Sequence, residues 1–259
     1  MPNERTILIE TLFRKFDETS LDAFRDVSPE TKQDGSTVTR VDREISAFAL
    51  ELLKKHTPDH GVISEEETVP YRPEAEWQWV IDPLDGTASF ARGFPTWGLG
   101  LGLVHRGEPV EGYLRFPVLG ETYQFTEGTF FADGKEQKPS GGVLVADTRN
   151  ILVGSSLQHQ SRLERLTGAK VRNLGSILYH LICLAMGRTE AVIANRFAVW
   201  DLAAALPFTR ARGCVERFAD GRPFSLLELL TEPGENSRHP RPLVIGPPAE
   251  VEAIIAEIR

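Results

Sequence analysis

Cysteine is nearly missing from this 259-residue chain: Cys183 and Cys214 stand alone, outside any CxxC or Cys/His cluster. That argues against a disulfide framework and a zinc site, and it fits a reducing, cytoplasmic setting. Long hydrophobic runs are missing too. No window approaches the ~18 apolar residues of a membrane span, and the opening MPNERTILIE carries charge where a secretion signal needs an apolar stretch, so no membrane partner is expected. Positive charge is in deficit, with 29 Lys and Arg against 37 Asp and Glu and a formal net charge of -8. Such a surface repels polyanions, and no Lys/Arg run resembles a nucleic-acid stripe, which argues against nucleic acid as the main partner. No repeat at a fixed period and no low-complexity tract occurs, so solenoids and arrays drop out.

What the chain does have is length and acid. It is long enough for one large domain or two tightly joined lobes around a sizeable core. Helical periodicity runs through Ile7, Leu8, Leu12 and Phe16, and again through Ile45, Phe48, Ala49 and Leu52. Trp79-Val80-Ile81 then reads as a strand entering a tight loop, Asp82-Pro83-Leu84-Asp85-Gly86. From Trp97 to Phe131 the segments WGLGLGLV, PVEGYLRF and ETYQFT read as an antiparallel meander, and the alternating glycines of GLGLGL point to close sheet packing. Lys138-Pro139-Ser140-Gly141-Gly142 predicts a lobe boundary, dividing residues 1–140 from 141–259. Beyond it the pattern predicts a buried helix over 174–186, a strand over 191–194 and a helix over 201–212. A last helix from Ala249 would carry Val251, Ile254, Ile255 and Ile258 on one face. The whole reads as a layered α/β fold.

Acids gather where regular structure ends or begins, in Ser64-Glu65-Glu66-Glu67, in Asp82-Pro83-Leu84-Asp85-Gly86-Thr87, and in Trp200-Asp201-Leu202. Singly, each has an ordinary explanation as turn former, helix cap or solvated loop. Together they make a hard-cation donor set. Magnesium takes oxygen ligands and usually only one or two carboxylates plus phosphate oxygens, so Glu65, Asp82, Asp85 and Asp201 can hold two ions. Two ions roughly 3.5–4 Å apart suit a phosphate monoester, one on the side of the attacking water and one at the leaving oxygen. Gly86-Thr87 follows the acids, where backbone N–H groups can face an anion.

The strings DGSTVTRVD (34–42), SEEE (64–67), DPLDGTASF (82–90), RNLGS (172–176) and WDLAAA (200–205) resemble, in order, the signatures of the inositol monophosphatase family, within the fructose-1,6-bisphosphatase superfamily. The resemblance implies an alternating α/β/α/β/α sandwich. It also implies a cytoplasmic, homodimeric, lithium-sensitive and magnesium-dependent phosphomonoesterase acting on a small phosphorylated metabolite, with two to three ions per site. One ion would lie on Glu65, Asp82 and the carbonyl of Leu84, a second on Asp82, Asp85 and Asp201, and a third, weaker one near Glu65. Thr87 and Asp42 would orient and deprotonate the attacking water, with Glu65 beside them, and the N–H groups of Gly86 and Thr87 would hold the phosphate. Asp42 keeps a second reading, because Thr39-Arg40-Val41-Asp42 is also a capping-box pattern, and the two roles can coexist. Lys32 either adds positive potential or is a surface lysine.

Several positions depart from the family pattern. Ser64 and Ala205 stand where glycine is usual, and the stretch between Val153 and Leu174 is short. Ala194 stands where an acid commonly contacts substrate hydroxyls, followed by Asn195 and Arg196. The Arg196 guanidinium would favour a substrate with a second anionic or strongly accepting group, unless it is only an exposed turn residue. Arg92 and Trp97 in ARGFPTW, with VWDLAA, resemble histidinol-phosphate phosphatases, which keeps that substrate as the alternative.

Other motifs carry less. GTFFADGK (128–135) has five residues between its glycines where a phosphate-binding loop has four, and Glu136 where Ser or Thr is needed. Pro58 breaks any helix that would pair His56 with His60, so both read as surface histidines. No GxSxG occurs. A rival of another class is a noncatalytic metal-binding or regulatory protein on the same scaffold, which phosphate release with and without magnesium would separate.

Overall fold

The fold is that of a computed structural model, which describes residues 4–32, 35–67, 72–138, 149–154, 165, 166, 168–231, 239 and 241–259. Helices α1 (Glu4–Ala23) and α2 (Arg40–His56) bury Leu12, Phe16, Ile45 and Ala49 against one face of a seven-stranded sheet. A short hairpin, β1 (Glu30–Thr31) and β2 (Thr37–Val38), lies between them in the chain. In order across the large sheet run β3 (Gly61–Ser64), β4 (Trp77–Asp85), β5 (Gly98–His105), β6 (Glu108–Phe116), β7 (Glu121–Thr126), β8 (Thr129–Ala132) and β9 (Lys135–Glu136). Only β3 and β4 pair in parallel, and the rest is the expected meander. Strand alternation divides the core: Trp79 and Ile81 face α1 and α2, whereas Val80 faces the opposite layer. The GTFFADGK segment is the β8–β9 hairpin, with Asp133 and Gly134 in its turn.

After α3 (Thr87–Ala91), the middle helical layer is formed by α4 (Ile177–Ala185), α5 (Trp200–Ala203) and α6 (Leu206–Arg210). It sits between the large sheet and a five-stranded one. That smaller sheet has the order β11 (Ala169–Arg172), β10 (Arg149–Val153), β12 (Ala191–Ala194), β14 (Leu243–Gly246) and β13 (Val215–Phe218). Helix α7 (Leu226–Thr231) joins the middle core through Leu226 and Leu230. Helix α8 (Pro248–Ile258) covers the outer face of the small sheet with Val251, Ile254, Ile255 and Ile258. The layers are therefore α/β/α/β/α, as the resemblance implies.

Four local readings change. Asp82–Asp85 is no loop: β4 runs through it, with Asp82 opposite Gly100 and Asp85 opposite Gly98, so β4 carries one residue more than β5 there. Pro83, which has no N–H to give the ladder, is absorbed by this bulge. The helix expected over 201–212 is two, α5 and α6, because Pro207 offers no N–H to continue the first. The helix expected from Leu174 begins at Ile177, behind the cap Ser176. His60 is half-buried beside Trp77 and Trp79, not a surface residue. Of the expected boundary at 138–142, residues 139–142 lie outside the described residues, as does most of the short stretch after Val153.

Candidate active site

The bulge in β4 builds the site. Two residues three apart on a regular strand point to opposite faces, and one extra residue restores the parity, so Asp82 and Asp85 converge. Asp201 joins them from α5, and the three buried side chains offer carboxylate oxygens within 4.8 Å of one another. Glu65 follows the last residue of β3, where Ser64 pairs with Ile81, and its N–H donates to the Ile81 carbonyl at 3.3 Å, beside Asp82. All four acids, with the Leu84 position, line one cavity of about 490 Å³.

Each acid is held. The Leu84 N–H donates to Asp82 Oδ1 at 3.1 Å, and the Ala198 N–H to Asp201 Oδ2 at 2.7 Å. Asp85 Oδ2 accepts from the Ser176 hydroxyl and from the Leu178 N–H at 2.8 Å, and Oδ1 from the Ile177 N–H at 3.3 Å. Lys32 is no free surface lysine, since its Nζ lies 2.5 Å from Glu66 and 3.4 Å from Glu65. Burial pushes the Asp82 carboxyl well above the ordinary carboxylate range, and the charges of Glu65, Asp85 and Asp201 add to it. Burial likewise pushes Asp85 up to about 7, although the Ser176 hydroxyl holds it back.

Asp42 has both of its expected places. Thr39 caps α2, with its N–H and hydroxyl donating to Asp42 Oδ2 at 2.8 and 2.5 Å, and the Thr87 hydroxyl donates to Asp42 Oδ1 at 3.0 Å. Burial raises the Asp42 carboxyl to about 6 against the pull of the Thr39 and Thr87 hydrogen bonds. The Thr87 hydroxyl also reaches the Leu84 carbonyl at 2.8 Å, and its single proton serves one acceptor at a time.

Gly86 takes φ +84 at the start of α3, a conformation that favours glycine. The departures at Ser64 and Ala205 are accommodated. The Ser64 and Ser46 hydroxyls are hydrogen-bonded at 2.6 Å, and Ala205 has φ -103, outside the region reserved for glycine. Ala194 ends β12 and lines the cavity beside Asn195 and Arg196, the latter at φ +53. Arg92 is exposed after α3, and Trp97 is fully buried against Phe16 and Phe90, outside the cavity lining.

The sequence model of the inositol monophosphatase family matches residues 3–244. The chain belongs to the inositol monophosphatase family. Among its relatives, the histidinol-phosphatase of Chlorobaculum parvum is 30% identical over 214 residues, 78% of this chain and 82% of that one. The 3'(2'),5'-bisphosphate nucleotidase CysQ of Salmonella typhimurium is 34% identical over 196 residues, 70% and 76% of the two chains. The solved structure of a Thermotoga maritima IMPase superposes with a TM-score of 0.83 at 23% identity, covering 99% of this chain and 98% of that one. In this family member, His180 and Asn195 line the cavity and were not singled out from the sequence, and neither was Ser176's bond to Asp85. The Ser176 role had a signal, a hydroxyl residue directly before a long apolar helix.

Proposed function

We propose that the chain is a magnesium-dependent phosphomonoesterase that hydrolyses a small phosphorylated metabolite. The buried convergence of Asp82, Asp85 and Asp201 carries this reading. Like charges so close and out of water disfavour one another, and hard cations relieve them, so the donor set fits magnesium. One ion would rest on Glu65, Asp82 and the Leu84 carbonyl, a second on Asp82, Asp85 and Asp201, and a weaker third near Glu65. When bound, the ions supply positive charge for the phosphate oxygens and the leaving group.

The protein groups do the rest. The Thr87 hydroxyl donates to Asp42 Oδ1 at 3.0 Å, so Thr87 Oγ can accept a proton from the attacking water while passing its own to Asp42. An acid raised to about 6 is a suitable base near neutral pH. The N–H groups of Gly86 and Thr87 would orient a phosphate oxygen. Residues 1–140 would act as a lobe holding Glu65, Asp82 and Asp85, and 141–259 as one adding Asp201 and the substrate wall with Ala194 and Arg196. The reading includes lithium inhibition, a cytoplasmic location and a homodimer, the last checked by mass in solution. Among the described residues no helix is long and apolar enough to cross a membrane.

Phosphate release from a panel of monoesters, with magnesium or excess chelator, tests the reading. Asp82→Asn and Asp201→Asn should each lose roughly 10²–10³-fold or more in turnover while keeping the fold. Full activity in either variant, or in chelator, would overturn it. Histidinol phosphate is the second reading, favoured by the Chlorobaculum parvum relative. The alanine at 194 weighs against it, because a protonated amine would find no carboxylate there.

A further inference from the structure

All three hydrogen bonds that the described residues give Asp85 come from one place: the Ser176 hydroxyl and the N–H groups of Ile177 and Leu178. Ser176 ends a strap, Asn173–Ser176, that belongs to no strand and turns at Gly175 with φ +91. Side chains hold this strap in place of a ladder. The Thr96 hydroxyl donates to the Leu174 carbonyl, Ser89 reaches the Gly175 carbonyl at 3.4 Å, and the Asn173 amide oxygen accepts from the Gly175 N–H at 2.7 Å. The fourth anchor is His180, whose Nε2 accepts the Leu174 N–H at 2.8 Å.

His180 is 1% exposed, in the first turns of α4, and burial lowers its pKa to about 4, so the ring is neutral near pH 7. With Nε2 accepting, the ring proton resides on Nδ1, which has no partner among the described residues. A buried donor left unsatisfied costs about 1–3 kcal/mol, so an apolar side chain would pack here more cheaply were an acceptor not required. The requirement is the Leu174 N–H. Leu174 is thereby gripped at both its N–H and its carbonyl, two residues before the hydroxyl that holds Asp85.

We propose that His180 is a positioning residue for metal binding: through the Leu174 N–H it sets the strap that fixes the Asp85 carboxylate. The proposal rests on the reading of Asp85 as a metal ligand. Groups that orient a ligand from behind are commonly worth about 10–100-fold in metal affinity.

The test is titration calorimetry with Mn²⁺ alone on wild type, His180→Leu, His180→Asn and His180→Gln, with the magnesium half-saturation of phosphate release as a second readout. The amide oxygen of Gln can stand where Nε2 does, whereas Asn is too short and Leu has no acceptor. His180→Leu and His180→Asn should weaken Mn²⁺ binding about 10–100-fold and shift the magnesium requirement likewise, with KM for substrate little changed. His180→Gln should stay close to wild type. Should His180→Leu not fold, His180→Asn carries the same test. Wild-type Mn²⁺ affinity in a folded Leu or Asn variant, or Gln as impaired as Asn, overturns the proposal. A wild type that binds no Mn²⁺ would instead refute the metal reading itself.

Discussion

A Cβ built on Gly102 would lie 2.7 Å from the carbonyl carbon of Ala203, so the middle of β5 and the short helix carrying Asp201 meet backbone to backbone. Gly112 on β6 is equally closed off, by the Ala204 carbonyl. This close approach lets Asp201 reach Asp82 and Asp85 at the bulged end of β4. Gly102→Ala should therefore overpack the interface by about 1–3 kcal/mol and displace Asp201 outward. The expected result is a lower melting temperature together with a raised magnesium half-saturation. A variant that melts lower but binds metal as wild type does would separate packing from ligand placement.

The Thr87–Asp42 contact predicts a different signature. Thr87→Ala should cut turnover roughly 10²–10⁴-fold, the usual range for a general-base contribution, with little change in metal affinity. Asp42→Asn should lose turnover similarly and also some stability, because the same carboxylate accepts from Thr39 at the start of α2. Turnover numbers and melting curves on the two variants decide it. If Asp42→Asn only lowers the melting temperature, the cap is its whole role.

How much of this was legible depends on distance along the chain. The acids were readable because turn formers and short spacings surround them, and the meander because its strands alternate. The bulge was not, since Asp82-Pro83-Leu84-Asp85 has the composition of a loop and only pairing with Gly98 and Gly100 makes it strand. Pro207 could have divided the helix over 201–212, but the apolar pattern outweighed it. His180 was invisible for another reason: a histidine in an apolar helix reads as core, and its partner is a backbone N–H brought back by the turn at Gly175.

The metal-free protein should also depend on pH in a definite sense. With Asp85 raised to about 7, the folded state binds more protons than the unfolded one from roughly pH 4 to 7, so this contribution to stability is lost as pH rises through that window. His180, lowered to about 4, runs the other way: its contribution is lost as pH falls below roughly 6.5. On the proposed reading the deprotonated Asp85 is a magnesium ligand, so magnesium should remove the first effect and leave the second unchanged. The melting-temperature gap between magnesium-saturated and chelated protein should accordingly widen from about pH 5 to about pH 8. A gap that stays constant would count against Asp85 as a ligand.

Substrate choice turns on Arg196 and its neighbours. Its φ of +53 is uncommon for a side chain of this kind, and it lines the cavity next to Ala194, the position without a carboxylate. A guanidinium there can grip a second anionic or strongly accepting group through paired hydrogen bonds, whereas the Ala194 side chain offers no carboxylate to accept bonds from a polyol. The enzyme should therefore hydrolyse several phosphomonoesters without strict preference for inositol 1-phosphate. Arg196→Ala should raise KM for the best substrate more than it lowers turnover, the mark of lost binding that is shared by ground and transition states. Steady-state kinetics on inositol 1-phosphate, sugar phosphates, histidinol phosphate and a nucleotide bisphosphate would show it. A large, sharp preference for inositol 1-phosphate that survives Arg196→Ala would mean that recognition lies elsewhere on the wall.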